Sequence, residues 1–209
     1  GAGDSYVCSE PEEKVDLIFT IDTTITDNSP SDSYILAYIT SNVNSFLIKW
    51  GDGAEEYVEP YGTQTGNITH QYETEGVYDI TIKGNINWKN NVDRKKLIAI
   101  KQWGIVNNNF NNSFVNNINL VSVPQNETIK MPADSRLAFL KVPISNFGKM
   151  NTSIVSTFES TFDQTNFDYN VGDWNVARCG KFSNIFRGTS MSEANCDAIL
   201  TGWTRWDSV

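Results

Sequence analysis

Histidine occurs once in the 209 residues, cysteine three times, and basic side chains are outnumbered by acidic ones, 16 to 25. Each shortage closes off a class of function. With a formal charge of −9 the chain has no concentrated basic surface for a phosphate backbone, so nucleic acid is not an expected partner. The one dense basic run, Asp93-Arg94-Lys95-Lys96, reads as solvated. Cys8, Cys179 and Cys196 form no Cys-x-x-Cys pair, so neither a zinc site nor a redox motif is indicated, and an odd count leaves at least one thiol unpaired. A Cys179–Cys196 bridge and two buried free thiols both remain open. No apolar run reaches 18 residues, so no membrane span is expected. The strings that mark nucleotide, zinc-protease and EF-hand sites are missing as well.

What remains is asparagine, aromatics and two different rhythms. Asparagine clusters in VNNNFNNSFVNNINL, which suits turns, because Asn tolerates a left-handed backbone. The triplets at Asn67, Asn111, Asn126 and Asn151 that fit N-glycosylation are what so Asn-rich a chain produces by chance.

Residues 1–14 read as a flexible lead-in. From 15 to 86 the pattern is that of strands: VDLIFTIDTTI, SYILAYIT, SFLIKW and VYDITIKG are β-branched and aromatic runs between Asn, Ser, Gly and Pro clusters. In VYDITIK, Val77, Asp79, Thr81 and Lys83 face one way and Tyr78, Ile80 and Ile82 the other, which is a half-buried strand with its apolar side on a second sheet. A small antiparallel β-sandwich is expected here, with a tight turn at Gly51-Asp52-Gly53.

His70 poses the question of catalysis, since Asp52 and His70 could form an acid–base pair. The competing reading makes both of them struts. Trp50, Gly51, Asp52, Gly53, His70, Tyr72, Gly76 and Tyr78 follow the order of a W-x-GDG-like turn and then H-x-Y…G-x-Y, and over this third of the chain the sequence resembles the PKD-type Ig-like domain. The resemblance implies that the Asp and His positions tie the turn to the neighbouring strand. With His70 so used, no Cys or Ser has an evident base, and the acids carry no local signature of a glycosidase pair. No enzyme, no metal site and no cofactor are therefore expected.

Residues 87–96 read as a linker, and from 97 to 209 the rhythm changes. QWGIVNNNFNNSF (102–114) aligns with DWNVARCGKFSNIF (173–186), and IVSTFESTF (154–162) carries the same Phe pair. The second Phe falls at 114, 162 and 186, spacings of 48 and 24, with a degenerate copy expected at SRLAFL near residue 138. A repeat of about 24 residues predicts a solenoid. Phe158 and Phe162, like Phe182 and Phe186, are spaced for one face of a short helical turn, and W-N-V segments would supply a short strand per coil. Trp103, Phe110, Phe114, Phe158, Phe162, Trp174, Phe182 and Phe186 are the expected repeat core.

TFDQTNFDYNVGDWNVARCGKFSNIFRGT, with Phe167, Trp174, Val176, Phe182 and Phe186 in register, resembles the BspA-like leucine-rich-like repeat, also met as a domain of unknown function in Mycoplasma lipoproteins and Bacteroidetes surface proteins. Ser190 and Glu193 form a capping-box pattern, and Cys196, Ile199, Leu200 and Trp203 recur at helical spacing, so a C-terminal helix is expected to cap the open end.

The fold class expected is thus mainly β: an Ig-like (PKD-like) sandwich, then a short repeat solenoid with a capping helix. The resemblance implies a non-enzymatic structural or attachment protein outside a cytoplasm, on a virion (capsid decoration, head or tail fibre) or on a bacterial cell surface as an adhesin. Its partners would be proteins of those surfaces or a glycan receptor, with a homo-oligomer open. A second class is carbohydrate binding, in which Trp88, Trp203, Trp206 and Tyr61 stack on sugar rings; packing at a junction or cap competes with it and is favoured.

Overall fold

The computed structural model describes residues 16–39, 45–59, 65–104 and 112–206. The described residues are mainly β, with one short α-helix. Strands β1 (Leu17–Asp22), β2 (Ser33–Ile39), β3 (Phe46–Lys49), β4 (Glu55–Val58), β5 (Thr65–Gln71), β6 (Val77–Lys83) and β7 (Leu97–Gln102) form two antiparallel sheets. One has the order β4-β3-β6-β1-β7, and the other pairs β2 with β5. β6 keeps the alternation written in its sequence: Ile80 and Ile82 are buried while Val77, Asp79 and Lys83 are exposed. The sheets meet through aromatic rings, Phe19 of β1 against Tyr34 of β2 at 6.0 Å and Tyr38 of β2 against Phe46 of β3 at 5.4 Å. Gly66 sits where a Cβ would lie 2.3 Å from the Tyr38 ring, so any side chain there would have to displace that ring.

Residues 87–96 depart from the linker expectation. Ile39 N–H donates to Asn87 O and Lys89 N–H to Ala37 O, so this stretch runs along β2 as a further edge. The solvated reading of the basic run is also corrected. Asp93 and Lys96 are both 0 % exposed. Asp93 accepts from Ser29 N–H (2.8 Å), Ser29 Oγ (2.6 Å) and Ile35 N–H (2.7 Å), while the Lys96 ammonium donates to Ser29 Oγ and to the carbonyls of Pro30 and Ser33. Two buried charges joined through one serine hydroxyl satisfy each other's polar demands and pin the 27–35 loop. Burial lowers the Lys96 pKa, and the Asp93 charge works against that.

β7, expected to open the second half, belongs to both. It pairs antiparallel with β1, while Ile100 N–H and Val121 N–H exchange bonds with Ser122 O and Ile98 O on its other side. From there the chain rises in rungs. N–H groups of Asn112, Phe114 and Asn116 donate to carbonyls of Arg136, Ala138 and Leu140. Ser135, Leu137, Phe139 and Lys141 donate to Thr157, Glu159, Thr161 and Asp163. Phe158, Ser160, Phe162 and Gln164 donate to Lys181, Ser183, Ile185 and Arg187. The separation is 22 to 24 residues throughout. Phe114, Phe139, Phe162 and Phe186 stack in one column, with centroids 5.5, 5.7 and 6.0 Å apart and planes within 18°. Phe139 is the copy expected in SRLAFL. Phe110 lies outside the described residues.

The phenylalanine pairs are not on helical turns. Each rung holds two residues at positive φ, four apart: Asn112 and Asn116, Leu137 and Lys141, Ser160 and Gln164, Asn184 and Gly188. This left-handed punctuation, alternating with local i to i−3 bonds such as Thr161 N–H to Phe158 O, turns every second N–H toward the next rung. Four-residue spacing fits such a turn as well as a helix. Nor does Trp174-Asn175-Val176 form a strand. Extended pairing falls instead at β8 (Thr128–Lys130) with β9 (Lys149–Asn151), which is parallel, and at single bridges linking Asp134, Thr157 and Lys181.

Helix α1 (Glu193–Trp203) covers the last rung, with Trp203 5.3 Å from Phe182. The capping box is replaced. Ser192 is the N-cap without a side-chain cap bond, and Asp168, one rung back, accepts from Ser192 N–H, Ser192 Oγ and Asn195 Nδ2 at 2.7–2.9 Å. The Ser192 N–H bond leads in holding the Asp168 carboxyl below its ordinary pKa. Ile199 is buried, but Cys196 is exposed and Leu200 is 68 % exposed, so the inward face is narrower than its spacing implied.

Two stability measurements check this account. Phe139→Ala should cost roughly 3–5 kcal/mol in urea unfolding, whereas Ile154→Ala, at a half-exposed position, should cost under about 1 kcal/mol. Gly188→Ala should destabilise by about 1 kcal/mol, and Gln164→Gly, at the equivalent left-handed position, should be neutral or stabilising. A neutral Gly188→Ala together with a Gln164→Gly that costs about 1 kcal/mol would contradict the left-handed assignment.

Candidate functional site: the Asp52–His70 cluster

The turn between β3 and β4 is built for tight approach. Gly51 and Gly53 have φ of +91° and +99°, and a Cβ on Gly51 would lie 2.7 Å from the carbonyl oxygen of Asp79. Asp52, between them, accepts Ala54 N–H on Oδ1 at 2.9 Å, which closes the turn, and meets His70 Nε2 with Oδ2 at 2.8 Å. His70 lies on β5, in the other sheet. The bond therefore crosses from one sheet to the other.

The imidazole is held on three sides. Trp50 stacks on it at 4.7 Å with planes 6° apart, Tyr72 meets it edge-on at 4.6 Å, and Asp52 takes one nitrogen. The Tyr72 hydroxyl donates to Trp50 O at 3.0 Å, and its ring stacks on Tyr78 at 4.0 Å. Gly76 closes the cluster by exchanging bonds with Thr23 at the end of β1. All eight residues of the sequence motif thus sit in one connected group. Burial pushes the Asp52 pKa up, but the bonds from His70 and Ala54 together outweigh it and hold the carboxyl below its ordinary value. Burial, reinforced by the nearby Asp52 charge, pushes the Tyr72 phenol far above its ordinary value.

Such a group can carry load, but no nucleophile stands beside the imidazole among these contacts. Among the described residues no group of three or more His, Cys, Asp or Glu is gathered closely enough to hold a metal ion. Cys179 and Cys196 are both free thiols, and burial raises the Cys179 pKa. No described helix is long and apolar enough to cross a membrane.

The residues proposed for stacking on sugars are scattered. Trp88 is corrected outright: it is 0 % exposed, stacked 4.4 Å from Phe19 and edge-on to Phe114 at 5.3 Å, because it plugs the junction between the sheets and the rungs. Trp203 and Trp206 are half-buried, and their indole N–H groups donate to Val171 O and Trp174 O, as cap residues do. Tyr61 lies outside the described residues. Of the expected repeat core, Trp103, Phe114, Phe158, Phe162 and Trp174 are buried, while Phe182 and Phe186 are half-buried under α1. Sequence reasoning missed Asp93, Lys96 and Asp168. It also missed Asp163, 1 % exposed and bound by both arms of the Arg187 guanidinium from the next rung.

Three comparisons, with protein-family models, with curated proteins and with solved structures, found no match for the chain.

A strut gives a definite pH signature. Asp52 has a lowered pKa in the folded state, so its contribution is fully present above the unfolded value of about 3.9 and is lost as pH falls through the folded value. Asp52→Ala should cost about 1–2 kcal/mol at pH 7. Urea titrations at pH 7 and at about pH 2.5 should show that difference shrinking in acid. A difference that grows in acid would contradict the assignment.

Proposed function

We propose that the chain is a non-enzymatic, surface-exposed structural and attachment protein, in which a PKD-like Ig-type sandwich carries a short BspA-like repeat solenoid outside a cytoplasm. The observation that carries the reading is the use made of its only histidine: His70 is clamped between Trp50, Tyr72 and Asp52 in a bond between two sheets, a mechanical use of the residue an acid–base enzyme would need free. The aromatic contact between the sheets supports the sandwich. The hydrogen bonds recurring at 22 to 24 residues, with their column of phenylalanines, support the solenoid. β7 hydrogen-bonds to both parts, which makes the pair a stiff unit suited to holding a binding face away from its anchor. The setting is a virion or a bacterial cell surface, and the partner is a protein of that surface, with a glycan receptor as the alternative.

The test is binding of the labelled full chain to intact bacterial cells and to purified phage particles. Saturable binding that is lost after protease treatment of the target surface is the expected result. Binding lost instead after periodate oxidation of the target's glycans would move the reading to the carbohydrate class. Turnover of a substrate, abolished by Asp52→Asn, would overturn it.

A further inference from the structure

Along the turns that carry the phenylalanine column the rungs hydrogen-bond in one direction. Asn112, Phe114, Asn116, Ser135, Leu137, Phe139, Lys141, Phe158, Ser160, Phe162 and Gln164 all donate forward to a carbonyl of the following rung, whereas on the bridged side Ser156 and Gly180 donate back to Ala133 O and Ser156 O. The last rung inherits this polarity. Phe182, Asn184, Phe186 and Gly188 occupy the places of Phe158, Ser160, Phe162 and Gln164: the phenylalanines coincide, and Asn184 and Gly188 repeat the positive φ of Ser160 and Gln164. The carbonyl side of this rung is bonded, since Phe158, Ser160, Phe162 and Gln164 donate to the carbonyls of Lys181, Ser183, Ile185 and Arg187 between these positions. Among the described residues, however, no group accepts from the N–H of Phe182, Asn184, Phe186 or Gly188. Helix α1 covers the phenylalanine rings at this end, yet Asn184 and Gly188 are exposed.

Backbone donors left in a row seek acceptors. Two such edges cannot pair with each other, because both offer only N–H. The donors are two residues apart, the spacing at which an extended chain presents successive carbonyls along one edge. Charge narrows the partner further. The stretch from Arg178 to Gly188 holds Arg178, Lys181 and Arg187 and no acid, in a chain of net charge −9. Arg187 is engaged by Asp163, but among the described residues neither Arg178 nor Lys181, both exposed, makes an ion pair.

We propose that the edge from Phe182 to Gly188 is a docking strip for an extended acidic segment of a partner protein. The segment adds one more rung, laying alternate carbonyls on the four N–H groups while its carboxylates meet Arg178 and Lys181. Because the strip asks for acceptors alone, proline in the segment is tolerated, as it is at an edge position whose N–H faces solvent. The inference concerns the edge itself and goes beyond the attachment reading, which can fail without it.

The test is amide hydrogen exchange, read residue by residue by NMR on the full chain, with a capped ten-residue peptide of alternating threonine and glutamate as probe. In the free protein the four amides should exchange at least tenfold faster than those of Phe158, Ser160, Phe162 and Gln164. Saturating peptide should slow the four by tenfold or more. The double variant Arg178→Ala, Lys181→Ala should keep the wild-type melting temperature and weaken the peptide by about threefold to tenfold. Four amides already slow in dilute free protein would show the edge internally covered and overturn the proposal. Protection that appears with rising protein concentration alone would make the occupant a second copy. Protection by heparin but not by the peptide would make it an anionic glycan. An equal response to a threonine–lysine peptide, or none to either peptide, also overturns it.

Discussion

No single rung of the second half can bury its own phenylalanine, and the rest of the molecule is arranged around that constraint. Each ring in the column from Phe114 to Phe186 is covered by the ring before and the ring after, so the terminal rungs need covers of another kind. At the start the cover is Trp88, whose indole lies between Phe19 and Phe114 and ties the column to the sheet core. At the end it is Trp203 on α1, with Asp168 fixing the first turn of that helix from one rung back. The column is thereby continuous with the core of the sheets rather than a separate body.

Polarity follows from the same turns that make the stack. Placing left-handed residues four apart aims alternate N–H groups at the next rung and alternate carbonyls at the previous one. Holding Leu137, Lys141, Ser160 and Gln164 in that region costs of the order of 1 kcal/mol each, a cost the burial of a full phenylalanine offsets. Gly188 avoids it, and Asn112, Asn116 and Asn184 reduce it. Along this face the stack has two unlike ends, one of acceptors and one of donors, while on the bridged side Ser156 and Gly180 donate to the previous rung. The apolar cover supplied by α1 does nothing for the donors.

The Asp52–His70 cluster and the Asp93–Lys96 pair solve one problem at opposite ends of legibility. Both tie the small two-stranded sheet to the rest of the chain. The first is readable because its residues lie within 30 positions, and their types, two glycines around an acid and a histidine two before a tyrosine, are what a tight turn against a strand requires. The second is not. Asp93 and Lys96 stand in a run that looks solvated, and only the return of the chain past residues 29–35 supplies the amides and carbonyls that let two charges be buried.

The sequence by itself determined the β character of the first half, the face each residue of β6 presents, the eight-residue cluster, and the period and membership of the phenylalanine column, Phe139 included. These are matters of local pattern: alternation, turn chemistry and spacing survive in one dimension. Tertiary structure decided the rest. Four-residue spacing of phenylalanine is compatible with a helical turn and with a left-handed one, and the bonds to the neighbouring rung select the second. Whether β7 ends the sheets or begins the rungs has no meaning along the chain, since it does both through its two edges. Trp88 looked available because exposure is not written in a side chain; it depends on what the rest of the fold brings against it.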